Sequence, residues 1–177
     1  LSTTSEGRLV VMMRTDVQGE PSNCTCRGRV DVYSSDRLRL TKLHLPQNII
    51  NPLHAVQTKN KTFLVSYGDH ATVSQGIIEI NNPGDIVKTF AGGPAGNGPH
   101  QLNGPAHISL DNDERLIVAD TGNRRIMLLN RNLQLERVLV SWSRVSGDHG
   151  PCRLFYDKER NQLTVGLATG HVDIYQL

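Results

Sequence analysis

Four short alternating segments recur along the chain, and their spacing constrains its fold more than any other feature. They are Arg29-Val30-Asp31-Val32-Tyr33, Gly76-Ile77-Ile78-Glu79-Ile80, Arg125-Ile126-Met127-Leu128-Leu129 and His171-Val172-Asp173-Ile174-Tyr175. Equivalent residues fall at positions 30, 78, 126 and 172, at intervals of 48, 48 and 46. Alternation with a period of two is the mark of a strand. Each segment follows a second short run: Arg8-Leu9-Val10-Val11, Thr62-Phe63-Leu64-Val65, Arg115-Leu116-Ile117-Val118 and Gln162-Leu163-Thr164-Val165. Between the runs lie residues that favour turns. No stretch keeps the i, i+3, i+4, i+7 pattern of an amphipathic helix, so an all-β chain is expected.

Each repeat offers two more strands. Outer ones are read at Leu38–Leu45, Asp85–Phe90 and Leu135–Val140, and inner ones open on a proline at Pro52–Val56, Pro105–Ser109 and Pro151–Phe155. Four strands in roughly 45 residues is the arithmetic of a β-propeller blade, a small antiparallel sheet that needs a neighbour on each face. Leu116-Ile117-Val118, three apolar residues in succession, suits a sheet covered on both sides. The expected architecture is one propeller unit over residues 1–177, with four-stranded antiparallel blades at roughly 1–45, 46–91, 102–141 and 148–177.

The third repeat carries a more specific pattern. Leu102-Asn103-Gly104-Pro105-Ala106-His107 leads into Leu116-Ile117-Val118-Ala119-Asp120-Thr121-Gly122-Asn123-Arg124-Arg125-Ile126. It resembles the NHL-repeat family, whose units combine a glycine-rich entry, a proline-led inner strand and a V-A-D-x-G-N-x-R-I hairpin. In that hairpin Asp120, Gly122 and Asn123 supply the tight loop, with glycine able to take positive φ. The resemblance implies a ring that is commonly six-bladed. Leu1–Val11 aligns without gaps on Ile108–Val118, inside a repeat, and the chain ends just after a third strand. The expectation is therefore the last four blades of a six-bladed ring, with upstream blades missing; a closed four-bladed ring is the alternative.

Composition narrows the functional classes. Of 177 residues 37% are hydrophobic and 20% charged, too apolar and too balanced for a disordered chain. No apolar run approaches the roughly 20 residues of a membrane-spanning helix, and Leu1–Gly7 lacks the basic start and apolar core of a secretory signal. A net charge of +2 does not demand nucleic acid. Cys24, Cys26 and Cys152 form neither an even disulfide set nor a zinc motif, and free thiols are expected. The Asn-X-Thr triplets at Asn23 and Asn60 leave an extracellular setting open beside a cytoplasmic one.

Two clusters are candidate sites. His54, His107 and Arg153 each stand two residues after the inner-strand proline and should converge on the central channel. The resemblance extends to propeller lyases in which channel histidines hold zinc, but arginine cannot ligate, so polar channel lining is the simpler reading. Asp120, Asn123, Arg124 and Arg125 crowd one hairpin, with Asp69-His70 in a similar place one blade earlier. They read either as turn chemistry or as the rim of a binding face. Arg124, Arg125, Arg131, Arg144 and Arg153 could form a basic surface of the kind some NHL domains of tripartite-motif proteins use for RNA, although 5% aromatic residues give little to stack on. His70, His149 and His171 are expected in exposed turns, and Trp142 and Tyr156 in the core. Gly92–Pro99 has no Lys-Ser/Thr and no following helix, so it is a connection and not a phosphate cradle. No Ser-His-Asp order or Gly-x-Ser-x-Gly elbow appears, and no catalytic set or cofactor is assigned. The chain thus reads as a non-catalytic recognition platform for a protein partner. A lyase or hydrolase with a metal near His54 and His107, and an RNA-binding face, are the alternatives.

Overall fold

The alternating segments do pair as antiparallel ladders. The computed structural model describes residues 1–4, 6–16, 26–68, 74–143 and 150–177, so Cys24, the Asn23 triplet, Asp69, His70, Arg144 and His149 lie outside the described residues. The first blade holds β1 (Ser2–Thr3), β2 (Leu9–Asp16), β3 (Cys26–Tyr33) and β4 (Arg39–His44). The second holds β5 (Pro52–Gln57), β6 (Phe63–Tyr67), β7 (Gln75–Ile80) and β8 (Ile86–Gly93). In the third are β9 (Pro105–Leu110), β10 (Leu116–Asp120), β11 (Arg125–Leu129) and β12 (Leu135–Ser141), and in the fourth β13 (Pro151–Asp157), β14 (Gln162–Leu167) and β15 (Val172–Gln176). Chain order is also spatial order in every sheet. The protein is an all-β propeller of antiparallel blades, three of them four-stranded and the fourth three-stranded among the described residues. The outer strand of the second blade runs past Phe90 to Gly93, because Gly76 and Gln75 continue the ladder onto Ala91 and Gly93.

Face-to-face burial joins the blades. Alternate residues of β10 and β11 enter different clusters. Leu116, Val118, Met127 and Leu129 pack with Val56, Leu64, Ile77 and Phe90 of the second blade. Ile117, Ala119, Ile126 and Leu128 pack with Leu154, Tyr156, Leu163 and Val165 of the fourth, where Trp142 also leans on the cluster. A third cluster, including Val10, Val30, Val32, Phe63 and Ile78, joins the first blade to the second. At roughly 25 cal/mol per Å² of apolar surface removed from water, such faces supply most of the driving force. The outward face of the fourth blade is exposed at Phe155, Val172 and Ile174, which stand 65%, 63% and 65% accessible.

One turn recurs between strands. Thr4, Ser34, Thr58, Asn81, Asp111 and Asn130 each open a five-residue turn in which the first N–H donates to the fifth carbonyl. The fourth residue is left-handed: Gly7, Arg37, Lys61, Gly84, Glu114 and Leu133 have φ between 58° and 119°. In five of the six turns the first side chain accepts from the fifth N–H, as Asn130 Oδ1 does from Gln134 at 3.0 Å. That explains the Ser, Thr, Asn and Asp at the openings. In the β10–β11 hairpin the positive φ falls on Arg124, at 52°, and not on Gly122. Thr121–Asn123 coil as a right-handed 3-10 turn, and the reversal comes where Arg124 N–H closes back on the Thr121 carbonyl.

Asp111 shows what these turns contribute. Only 2% exposed, it accepts from the N–H groups of Asp113 (2.9 Å) and Arg115 (2.8 Å) and from Arg115 Nε (2.7 Å). Asp111→Ala is expected to lower stability by about 1–3 kcal/mol in equilibrium denaturation. An unchanged midpoint would show that the turn does not depend on this carboxylate.

Candidate functional site

A register shift aims the channel residues. Pro52 pairs with Tyr67 but His54 with Ser66; Pro105 pairs with Asp120 but His107 with Ala119; Pro151 pairs with Leu167 but Arg153 with Gly166. Two residues on the inner strand therefore oppose one on its neighbour, a β-bulge in each of three blades. The bulge reverses the normal alternation, so proline and the residue two places on face opposite sides of the sheet. Proline suits the strand start because no ladder hydrogen bond needs its missing N–H.

His54 and His107 meet as a stacked pair, with ring centroids 3.6 Å apart and planes inclined by 23°. The Nε2 of His54 faces the carbonyl oxygen of Leu1 at 3.1 Å. The Nδ1 atoms of both rings are buried, with no hydrogen-bond partner among the described residues. Burial lowers the pKa of His54 to about 4 and of His107 to about 3, with the charge of Arg153 adding to the effect on both and His54 adding to that on His107. Both rings are neutral at pH 7. Arg153, itself exposed, donates Nη1 to the Cys152 carbonyl at 2.7 Å. His54 and His107 thus come together, and Arg153 acts on both rings through its charge.

A cleft of about 360 Å³ runs along the inner strands from this pair. Every blade contributes to its lining: Leu1 and Leu9 from the first, His54 and Val56 from the second, His107 from the third, Phe155 from the fourth. Lys59, Glu114 and Lys158 line it from turns at the other end of the inner strands. Its size suits a small organic molecule. The stacked geometry does not suit a shared metal ion. Imidazole binds a metal in its own plane at about 2 Å, and two nearly parallel planes 3.6 Å apart do not meet at one such point. Among the described residues no group of three or more His, Cys, Asp or Glu could hold a metal.

The hairpin cluster has a different role. Asp120, fully buried, accepts from Asn103 N–H (2.7 Å), Asn123 Nδ2 (2.8 Å) and Arg125 Nε (2.7 Å). Arg125 also donates to the carbonyls of Asn97, Gly98 and Gln101, and Asn123 to that of Gly96. Three of the four residues thus pin the glycine-rich connection onto the third blade. Only Arg124 reaches outward, to the Ser143 carbonyl at 3.3 Å. Arg131 stands beyond the other end of β11, roughly 20 Å from Arg125 at the rise of a strand. His171 is exposed, and Asn60 stands exposed in its turn. Buried Ser66, directly across the ladder from His54, escaped the sequence reading because no local pattern marks it.

No family model and no curated protein matches the chain. Among solved structures it is similar to hydrazine synthase of Kuenenia stuttgartiensis, at 12% identity over 99% of this chain and 57% of that one, with a TM-score of 0.64. A luciferin-regenerating enzyme matches at 14% identity over 97% of this chain and 53% of that one (TM-score 0.56). A streptogramin B lyase matches at 16% over 94% and 54% (TM-score 0.51). The chain spans a little over half the length of each of these proteins. At such identities the likeness establishes the propeller fold.

The buried pair couples stability to pH. Both folded-state pKa values lie below the free value of 6.5, so the unfolded chain binds more protons between about pH 3 and 6.5. Stability is full above that window and falls through it on acidification, by up to about 1.4 kcal/mol per pH unit for each ring. Burial holds the Asp120 carboxyl above its usual range and works in the opposite sense, so the comparison of variants is the test. His107→Gln should flatten the dependence of unfolding free energy on pH between 4 and 6.5. A slope equal to that of the unsubstituted protein would mean that the rings are not buried as neutral groups.

Proposed function

We propose that the chain is a non-catalytic recognition propeller of the NHL type that holds an organic ligand with an apolar body in the cleft along its inner strands. The observation that carries this reading is the cleft itself: apolar walls from four blades meet the imidazoles of the inner strands. A protein partner docking on the hairpin rim has less support, since Asp120, Asn123 and Arg125 have their hydrogen bonds inside the blade.

An enzymatic reading has one observation in its favour. A neutral histidine in a cleft can accept a proton, and two of the similar propellers are named as a lyase and a luciferin-regenerating enzyme. Neither reading needs a metal on the stacked pair.

Ligand titration with histidine ¹⁵N spectra tests the proposal. Binders from a set of small aromatic and aliphatic probes should shift the ring nitrogens of His54 and His107. Phe155→Ser, an exposed position on the cleft wall, should weaken binding severalfold and leave the fold intact. Binders that move neither ring would overturn the cleft reading, whereas chemical conversion of a bound probe would favour the enzymatic one.

A further inference from the structure

The third strand of the fourth blade, β15, has an open edge. Leu167 N–H donates to the His171 carbonyl and Leu177 N–H to the Asn161 carbonyl, at the two ends of the β14–β15 ladder. Opposed residues of an antiparallel pair alternate between bonded and non-bonded. Val172, Ile174 and Gln176, opposite Gly166, Thr164 and Gln162, therefore belong to the non-bonded set. Their backbone N–H and C=O groups point away from β14, and β15 has no second neighbour among the described residues. In the other blades the equivalent strand is an interior one: β3, β7 and β11 pair with β4, β8 and β12. Those outer strands carry the marks of a protected edge, a register shift together with Lys42, Lys88 or Arg137. β15 has a regular register and neither lysine nor proline. Its Val172-Asp173-Ile174-Tyr175 nearly repeats Val30-Asp31-Val32-Tyr33 of interior β3. By sequence β15 is an interior strand, and by position it is an edge.

We infer that β15 accepts an extended segment of another polypeptide as a fourth, antiparallel strand of this blade. Main-chain hydrogen bonds to Val172, Ile174 and Gln176 supply the affinity of such strand addition, and alternate side chains supply the choice of partner. The first two blades give the template. Leu43 stands opposite Val30 and Lys42 opposite Asp31. Lys88 and Glu79, opposite each other in the second blade, form an ion pair at 2.7 Å. Carried onto β15, the pattern puts an apolar side chain opposite Val172 and a basic one opposite Asp173. Asp173 and Tyr175 share a face of the strand. Tyr175 lines a cleft of about 390 Å³ with Val138, Leu139 and Val140 of β12, an apolar wall beside the docked strand. This cleft shares no lining residue with the one at the histidines, so the inference is independent of the reading given to that site.

A labelled peptide with the sequence of residues 38–45, the strand that pairs with β3, tests the inference on the intact chain. Its binding, read by fluorescence anisotropy, should slow hydrogen exchange at the amides of Val172, Ile174 and Gln176. The amides of Asp173 and Tyr175, which already face β14, should not change. A peptide with glutamate in place of its lysine should bind at least about threefold more weakly, and Asp173→Lys should reverse that order. Ile174→Pro removes an outward N–H without touching the β14 ladder, and should abolish binding. Should that variant fail to fold, N-methylation of the peptide's edge-facing amides gives the same reading on the unsubstituted protein. Failure to bind, equal binding of a scrambled peptide, or binding that leaves the three amides unprotected would overturn the inference. Protection of the same amides by raising the protein concentration alone would assign the edge to a second copy of this chain. Tighter binding of the glutamate peptide would make Arg137, on the wall of the same cleft, the charged contact and overturn the assignment of a basic residue opposite Asp173.

Discussion

A four-stranded sheet of this length has two apolar faces and cannot bury either alone, and everything else in the molecule follows from how that is resolved. Ile117 and Val118 are successive residues of one strand, yet each is fully buried, one against the fourth blade and the other against the second. The stack therefore depends on packing at three blade interfaces more than on the hydrogen bonds of any one ladder. Those interfaces fix the tilt of the inner strands, and with it the distance between His54 on β5 and His107 on β9. A stacked imidazole pair is a consequence of blade spacing.

Two devices then give the inner strands their particular character. The bulge after each proline turns His54, His107 and Arg153 where plain alternation would have placed their neighbours. The network around Asp120 holds the glycine-rich connection before β9 against the third blade, through Arg125 and Asn123. The first device shapes the cleft; the second keeps the entry to the third inner strand in place. Burial is fully compensated by hydrogen bonds at Asp120, whereas the Nδ1 atoms of the stacked histidines are buried with no partner among the described residues.

Much of this was legible in the residues. Period-two alternation named the strands, and the intervals between Val30, Ile78, Ile126 and Val172 named the blades, because a repeat must present the same faces to its neighbours each time. Proline marked the inner strands for the same physical reason that it begins them. The meeting of His54 and His107 followed from their common offset. Three features were not legible. The reversal at Arg124, where Gly122 was the obvious candidate, depends on how a 3-10 turn closes. Stacking of the two rings and the missing partners of their Nδ1 atoms depend on ångström-scale separations between blades distant in sequence. Asp120 and Arg125 looked as suited to a binding rim as to a turn, since their partners are backbone carbonyls that no side-chain pattern reveals.

The linear order of the stack has a consequence for motion. Repeat units that touch only their neighbours lose structure first where a neighbour is lacking, and backbone protection rises toward the middle. In this chain the second and third blades are covered on both faces, and they carry His54 and His107. The cleft's other walls, Leu1 with Leu9 and Phe155, belong to the first and fourth blades, whose outward faces no blade among the described residues covers. The stacked histidines are thus mounted on the two blades covered on both faces, while the remaining walls of the cleft come from the blades covered on one face among the described residues.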